Sequence, residues 1–342
     1  MPLSSVKCQD RAIAALEAAL SRGQVHHAWL FHGPDGVGKE LAAFGLAQAL
    51  TCPEQPNVGC GTCSSCRRIE KRNHPDVTVV MPEDELVRRG LAGRSDFDHT
   101  PSRDIRIEQV RQLQERLAFR ALEAKTKVAI LVTAHAMNPP AQNALLKTLE
   151  EPPKDTVLIL VSSAQDKLLP TIRSRCAKAA FGPLPIDFLT EKLQASKKGA
   201  DPVTARQAAA MASGSLARAL AFDVDALAER KSVIERFEAL DPKDARGWLT
   251  LAESLAEDRA TAEVALDVLQ VWLRDVAAAH VSSESLVNGD LQPLAVSAAS
   301  RVSPANLHRR SLLIDEARNA ITQRNGAIRV QLERMFVEMF AT

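Results

Sequence analysis

Residues 28–39 read AWLFHGPDGVGK, an apolar run that passes directly into glycines and a lysine. The apolar run predicts a buried strand, and the pattern after Lys39 predicts a helix to about residue 50. A Gly-x4-Gly-Lys loop between a strand and a helix is the Walker A pattern, in which backbone N–H groups surround a phosphate at the positive end of the helix. The candidate nucleotide-binding residues are Gly33, Gly36, Gly38 and Lys39.

Further apolar, β-branched runs predict more strands of the same kind. They lie at 76–81, 127–133 and 156–162. A helical pattern around 143–150 separates the last two, and buried strands that alternate with helices predict an α/β domain with a parallel sheet. The polar segment 82–102 predicts a surface loop. After Pro185 the strand signal ends, and the rest of the chain predicts helices.

Two positions that ATP hydrolysis needs are altered. The residue after the Walker A lysine is normally Ser or Thr, whose hydroxyl holds Mg²⁺, but here it is Glu40. A carboxylate there predicts repulsion of a triphosphate. The strand at 127–133 runs into Ala134 and His135, with none of the acidic residues of a Walker B strand. We therefore expect no efficient ATP hydrolysis, while the surviving glycines and lysine leave ATP or ADP binding open.

Four cysteines directly behind the loop have the spacing C-x7-C-x2-C-x2-C. Pairs two residues apart let one tight turn offer two sulfurs to one metal, and zinc prefers four thiolates in a tetrahedron. One alternative is that these cysteines are unligated thiols. Another is that they form two disulfides of a secreted protein, in which Cys8 and Cys176 would have no place in those pairs. A full ligand set predicts a structural zinc ion. The predicted metal ligands are Cys52, Cys60, Cys63 and Cys66.

The bulk composition indicates a soluble globular protein. The 342 residues carry a net charge of +1, with 46% hydrophobic and 25% charged residues, and predict two or three domains. A basic N-terminal segment followed by an apolar one is absent, as is an apolar run of about 18 residues, so we expect a cytoplasmic protein with no membrane contact. The near-neutral charge and the lack of Tyr argue against a nucleic-acid-binding protein that acts alone. Basic residues beside the cysteines, at 67, 68, 71 and 72, leave that interpretation open.

Two further segments carry a family resemblance. Residues 143–153 read NALLKTLEEPP, and residues 168–176 read LLPTIRSRC. Together with the Walker-type loop and the cysteines behind it, they resemble the clamp loader of bacterial DNA polymerase III, an AAA+ assembly. The resemblance implies an AAA+ domain at 1–184 with a four-cysteine zinc module at about 51–74, a small helical lid at 185–223 and an all-α collar at 224–342.

The resemblance also implies a role. Because its nucleotide site has decayed, the chain resembles the non-hydrolysing stator subunit of that assembly. Arg175 of the Ser-Arg-Cys motif would then act in trans as an arginine finger on the γ-phosphate in a neighbouring ATPase site. The implied partners are the gamma/tau and delta subunits and, through the complex, the sliding clamp and primer-template DNA. The alternative is a catalytically active, gamma/tau-like P-loop ATPase subunit of the same assembly.

Overall fold

The structure is a computed structural model that describes residues 2–196, 201–221, 224–282, 286–323 and 326–340. Contacts within the chain divide it into two compact units, Met1–Pro185 and Ile186–Thr342. The predicted lid and collar both fall in the second unit. Their boundary at residue 223 lies outside the described residues, so the three-domain division stays a prediction.

The first unit is built on one sheet of five parallel strands. The strands are β1 (Ala28–His32), β2 (Val77–Val80), β3 (Lys127–Leu131), β4 (Thr156–Ser162) and β5 (Ala177–Ala180). Their order across the sheet is β2-β3-β4-β1-β5, and every neighbouring pair is parallel. Strands β3 and β4 are buried along their whole length, which explains their apolar runs. The predicted parallel α/β sheet is confirmed.

The described residues of the first unit form seven α-helices. They are α1 (Asp10–Ser21), α2 (Lys39–Thr51), α3 (Ser64–Glu70), α4 (Glu83–Arg88), α5 (Ile107–Ala118), α6 (Pro139–Glu150) and α7 (Pro170–Ser174). Helix α4 corrects the prediction of a loop over 82–102. Its first turn is entirely acidic, and the positive end of the helix dipole stabilises carboxylates at that position. Ion pairs at i,i+4 spacing, Asp84 with Arg88 and Glu85 with Arg89, add to its stability.

Strand β5 has no strand signal in the sequence, since it reads AKAA. It forms because β1 offers an open edge, on which Leu30 lies opposite Lys178. The ladder continues past the strand, where the Phe181 N–H donates to the His32 carbonyl at 2.8 Å. Tertiary pairing therefore overrides the low strand propensity of alanine and lysine.

In its described residues, the second unit is entirely helical, as predicted. Its helices are α8 (Ile186–Ala195), α9 (Pro202–Met211), α10 (Leu216–Ala221), α11 (Val224–Glu238), α12 (Ala245–Ser254), α13 (Arg259–Ala279), α14 (Gln292–Arg301), α15 (Pro304–Gln323) and α16 (Ile328–Phe340). A single apolar cluster holds α11–α16 together, with Trp272 and Phe336 fully buried at its centre. None of the helices in the described part of the chain is long and apolar enough to cross a membrane.

Gly33 should be essential to the fold, whether or not a nucleotide binds. Its φ is +140°, and a Cβ there would lie 2.0 Å from the Phe181 carbonyl oxygen on the chain that leaves β5. We expect Gly33→Ala to lower the free energy of unfolding by more than about 2 kcal/mol. Urea denaturation checks this, with Gly182→Ala as the control because a Cβ there meets nothing within 4 Å. Equal stabilities of the two variants would contradict this interpretation of the loop.

Candidate functional site

The phosphate loop lies between the end of β1 and the start of α2, and all four predicted residues are in it. Gly36 and Gly38 have φ values of 71° and 99°, and Gly38 caps α2 in the left-handed conformation. The Lys39 side chain is only 5% exposed. Its Nζ donates to the Gly33 carbonyl at 2.6 Å and to the Pro34 carbonyl. The Lys39 ammonium, which would otherwise bind phosphate, is therefore hydrogen-bonded to carbonyls of the loop itself.

Electrostatics around Lys39 agree with this internal role. Burial lowers the pKa of Lys39, and the carboxylate of Asp35, 3.8 Å away, opposes that shift. The Lys39 ammonium thus has the Asp35 carboxylate nearby and two carbonyl partners, all within the loop. A phosphate would have to displace these carbonyls before it could contact the side chain.

Glu40, the first residue after the loop lysine, is not an uncompensated charge, and its predicted effect on a triphosphate stays a prediction. Its carboxylate accepts hydrogen bonds from Arg89 Nη1 at 2.8 and 2.9 Å and from Arg72. Arg72 follows α3 beside the cysteines, and Arg89 follows α4. The side chain that replaces the usual hydroxyl is therefore paired with two guanidinium groups, and the magnesium-binding hydroxyl is still missing.

The end of β3 completes the nucleotide edge of the sheet. Thr133 has a φ of 56°, and its hydroxyl donates to Glu85 at 2.8 Å. His135 lies between the Ser162 and Ser163 hydroxyls, 3.4 Å from each. Burial lowers the pKa of His135, which favours a neutral ring that hydrogen-bonds to these serines. The segment from β3 to His135 carries no carboxylate.

The Mg²⁺ ion that P-loop enzymes use does not fit these residues. Such an ion needs oxygen ligands with free lone pairs on the residue after the lysine and at the end of β3, the strand in the Walker B place. Here the first position holds Glu40 in ion pairs with two arginines, and the second holds Thr133 bonded to Glu85.

The four cysteines come together as a possible metal site. Their sulfurs all lie within 4.8 Å of one another, and the pairs 52–63 and 60–66 are each 3.9 Å apart. Four sulfurs placed tetrahedrally at about 2.3 Å from a zinc ion would lie about 3.8 Å apart. The separations thus match a single four-coordinate metal, whereas a disulfide requires about 2 Å. All four are free thiols, so the disulfide alternative is wrong.

Backbone N–H groups that donate to the sulfurs also suit a metal site. Cys52 Sγ accepts from the N–H groups of Gln55 and Cys60, at 3.3 and 3.4 Å. Cys60 Sγ accepts from those of Thr62 and Cys63, at 3.4 and 3.2 Å. The Thr62 side chain and these N–H groups lower the pKa of Cys60 to about 6. Donors of this kind stabilise thiolates, which are the form that binds metals.

The cysteine module, residues 52–72, is packed directly on α2. Gln48, which is fully buried, donates to the Cys66 carbonyl at 2.9 Å, and the Asn57 N–H donates to the Ala49 carbonyl at 2.9 Å. A Cβ on Gly59 would lie 3.1 Å from the Ala49 nitrogen, so the approach is close. The metal site and the phosphate loop therefore share one helix.

Two of the four basic residues in this module are engaged within the chain. Arg68 pairs with Glu123, and Arg72 pairs with Glu40 while stacking over Phe44. Ion pairs of this kind reduce the charge that a basic patch offers to phosphates. The geometry gives no support to a nucleic-acid-binding protein that acts through these residues.

Arg175 follows α7 and is partly exposed, at 36%. Its guanidinium lies 2.7 Å from the Glu150 carboxylate at the end of α6 and donates to the Thr171 carbonyl at 3.0 Å. The neighbouring Cys176 is buried, and burial raises the pKa of its thiol to about 12. The Ser-Arg-Cys motif therefore presents one oriented cation at the surface, next to an inert thiol.

Four residues to which the sequence gave no role contact the nucleotide edge, the cysteine module or Arg175. Glu85 and Arg89, from the segment predicted as a loop, contact Thr133 and Glu40. Glu123, in the turn before β3, pairs with Arg68, and Glu150, at the end of α6, pairs with Arg175. Only the i,i+4 spacing of Glu85 and Arg89 is a local signal. The contact between Arg89 and Glu40 spans 49 residues, which no local pattern encodes. In the second unit, Arg218 of the lid segment pairs with Asp267 of α13 at 3.6 Å.

Comparisons with known proteins agree with this geometry. A family model described as DNA polymerase III, delta subunit, matches residues 8–185, and another for the C-terminal part of that subunit matches 224–333. DNA polymerase III subunit delta' of Bacillus subtilis is 32% identical over 83% of this chain and 82% of its own length. The Escherichia coli subunit of that name is 28% identical over 85% and 82%. Subunit gamma/tau of Mycobacterium bovis is 33% identical over 52% of this chain and 28% of its own length.

The cysteine site predicts a joint loss of metal and stability. Cys60→Ser removes one sulfur, so we expect lower metal content and a free energy of unfolding that falls by more than about 2 kcal/mol, because metal binding and folding are coupled. Elemental analysis and thermal unfolding of the same sample check this. Cys8→Ser is the matched control, since Cys8 is exposed and outside the cluster. Unchanged metal content in Cys60→Ser would remove Cys60 from the ligand set.

Proposed function

The chain belongs to the family of DNA polymerase III delta' subunits, and from this we propose that it is the non-hydrolysing stator of the clamp loader. One observation carries the proposal. The phosphate loop keeps its shape through internal contacts, with Lys39 on the loop's carbonyls and Glu40 in ion pairs. A loop held this way needs neither nucleotide nor metal to be ordered.

The same contacts oppose ATP turnover by the chain itself. Hydrolysis requires a lysine on the phosphates, a metal and a residue that orients the attacking water. Lys39 is bonded within the loop, the metal ligands are replaced, and His135 is bonded to serines. ATP or ADP binding would need Lys39 to exchange carbonyl partners for phosphate. The alternative of a gamma/tau-like ATPase has weaker support, because the Mycobacterium bovis relative matches over 28% of its own length, against 82% for the Bacillus subtilis delta' subunit.

We assign Arg175 as an arginine finger that acts on the site of a neighbouring ATPase subunit. Its guanidinium is partly exposed, and Glu150 and the Thr171 carbonyl fix its direction. A fixed guanidinium stabilises negative charge that develops on a transferred phosphoryl group, and such a finger contributes about 10³–10⁵ in rate. The Glu150 carboxylate is a counter-charge that holds the finger in the free subunit and would yield to the more highly charged phosphate.

The metal of the cysteine module is proposed to be zinc. Four thiolates at these separations suit a tetrahedral ion of soft character, and a closed set of four leaves no position for water or substrate. Zinc here would cross-link the turns of the module against α2. Because the phosphate loop leads into the same helix, the ion would also restrict motion of the loop. The chain's own residues thus use the ion for folding and not for catalysis.

The proposed partners follow from the family. The subunit would sit beside gamma/tau and delta subunits and meet the sliding clamp and primer-template DNA through the assembled complex. We place this activity in the cytoplasm, where a bacterial replication machine reaches the chromosome. Direct DNA binding by the free chain is not part of the proposal, since Arg68 and Arg72 are paired internally.

The purified chain should not hydrolyse ATP. Steady-state phosphate release in the presence of Mg²⁺ should equal the buffer background, because the lysine and both metal positions are occupied by other contacts. A gamma/tau-type subunit assayed in parallel is the positive control. Turnover that co-purifies with the folded chain and is lost in Lys39→Ala would favour the ATPase alternative.

Arg175→Ala should depress ATP hydrolysis by the assembled clamp loader. The ATPase site that this arginine completes should lose about 10³-fold in rate, while folding and assembly are retained. Clamp- and DNA-stimulated turnover of the reconstituted complex checks this, after gel filtration shows full assembly. Arg173→Ala is the matched control, because Arg173 lies two residues before Arg175, in α7, and pairs with Asp166. Equal turnover of the two assembled variants would contradict the assignment of Arg175 as the arginine finger.

A further inference from the structure

Ion pairs and one hydrogen bond join the start of α2 to the end of β3. Glu40, the first residue after the loop lysine, is paired with Arg89 at 2.8 Å. Arg89 in turn donates to Glu85, whose other oxygen accepts from the Thr133 hydroxyl at 2.8 Å. Arg89 and Glu85 both come from α4 and the residue that follows it, in the segment 83–104 to which no role has been assigned.

One end of this chain of contacts is the position that binds the metal in an active P-loop site, and the other, Thr133, lies two residues past β3, the strand in the Walker B place. There the ion binds the hydroxyl of the residue after the lysine and is held by an acidic residue of the Walker B strand. Here position 40 is a carboxylate, and the strand end at 133 is a hydroxyl. A guanidinium between two carboxylates now links the same two segments.

We propose that the Arg89 guanidinium takes the place of the divalent cation at this site. This cation is covalently part of the chain. It pairs with Glu40 of α2 and with Glu85 of α4, and Glu85 in turn accepts a hydrogen bond from Thr133 after β3. The replacement of the usual hydroxyl by Glu40 then makes physical sense, because a guanidinium needs an anionic partner where Mg²⁺ needs an oxygen ligand. This inference rests on the proposed function, in which the loop turns over no ATP.

Burial supports this view of the bridge. The Glu85 side chain is 13% exposed, Glu40 is 26% exposed and Arg89 is 33% exposed, so the pairs are shielded more than ordinary surface ion pairs. The carboxylates of Glu40 and Glu85 raise the pKa of Arg89. Arg72 also pairs with Glu40, so the bridge extends to the cysteine module. Removal of Arg89 would leave Glu85 without its cation, beside the oxygens of Glu40 and Thr133.

The test is whether a divalent cation can replace the side chain. In Arg89→Ala, the side chains of Glu40, Glu85 and Thr133 keep oxygens of the kind that Mg²⁺ and Mn²⁺ prefer, while Arg72 stays paired with one oxygen of Glu40. We expect the metal-loaded, nucleotide-free full chain of this variant to gain one Mn²⁺ site, at least about tenfold tighter than any site of the unaltered chain. Electron paramagnetic resonance of free Mn²⁺ during a titration measures this directly.

Three further variants make the result specific. Arg88→Ala removes an exposed arginine that pairs with Asp84, and it should gain no Mn²⁺ site. Arg89→Lys keeps a cation and should gain none either. Adding Glu85→Gln to Arg89→Ala should abolish the new site. Arg89→Ala that is folded and binds no more Mn²⁺ than Arg88→Ala would overturn the proposal.

Stability provides the second readout. Arg89→Ala should unfold at a lower temperature than the unaltered chain, and millimolar Mn²⁺ should restore part of that loss in this variant alone. If the variant is unfolded as purified, the proposal requires that Mn²⁺ or Mg²⁺ restore its folding, and failure to do so would overturn it. Neither experiment uses ATP or other subunits, so a failure here is separate from a failure of the stator assignment.

Discussion

Helix α2 is covered on nearly all sides, and this constraint shapes the whole first unit. One side packs on the sheet, and another carries the cysteine module, so that even Lys39, Gln48 and Thr51 are buried. Such a helix must be rich in small residues, and Ala42, Ala43, Ala47 and Ala49 meet that need. Because the phosphate loop begins this helix and Cys52 follows it, a shift at one end is transmitted to the other. Loop, helix and metal module behave as one packed body.

That packing explains how the phosphate loop keeps its shape through contacts within the chain. The left-handed backbone of the loop is set by contacts with β5 and by the start of α2, and its lysine is satisfied by the loop's own carbonyls. The charge at Glu40 is balanced by arginines from two other segments. A rigid neighbour is what an arginine finger needs, since a fixed guanidinium stabilises developing charge without reorganisation. The proposed loss of ATPase activity and the proposed finger at Arg175 are thus compatible in one scaffold.

Local patterns in the sequence predicted much of the fold and the central parts of the site. Strands β1 to β4 were predicted, because both faces of a parallel sheet are buried and strands become apolar runs. The cysteine cluster was predicted from spacing alone, since ligand spacing directly reflects turn geometry. Helix α4 was missed because its ion pairs look like the polarity of a loop. Strand β5 was missed because its strand character comes from the edge of β1 and not from AKAA itself.

The sequence by itself determined the phosphate loop, the four sulfurs, the Ser-Arg-Cys motif and the change at position 40, all of which are short-range patterns. Tertiary structure alone decided what these groups contact. The partners of Glu40, at positions 72 and 89, and that of Arg175, at position 150, lie 25 to 49 residues away in the chain. Charge pairing acts through space between exposed or half-buried groups, and many sequence partners are equally suitable. Only the packing of α2 and α4 at the edge of the sheet selects which of them meet.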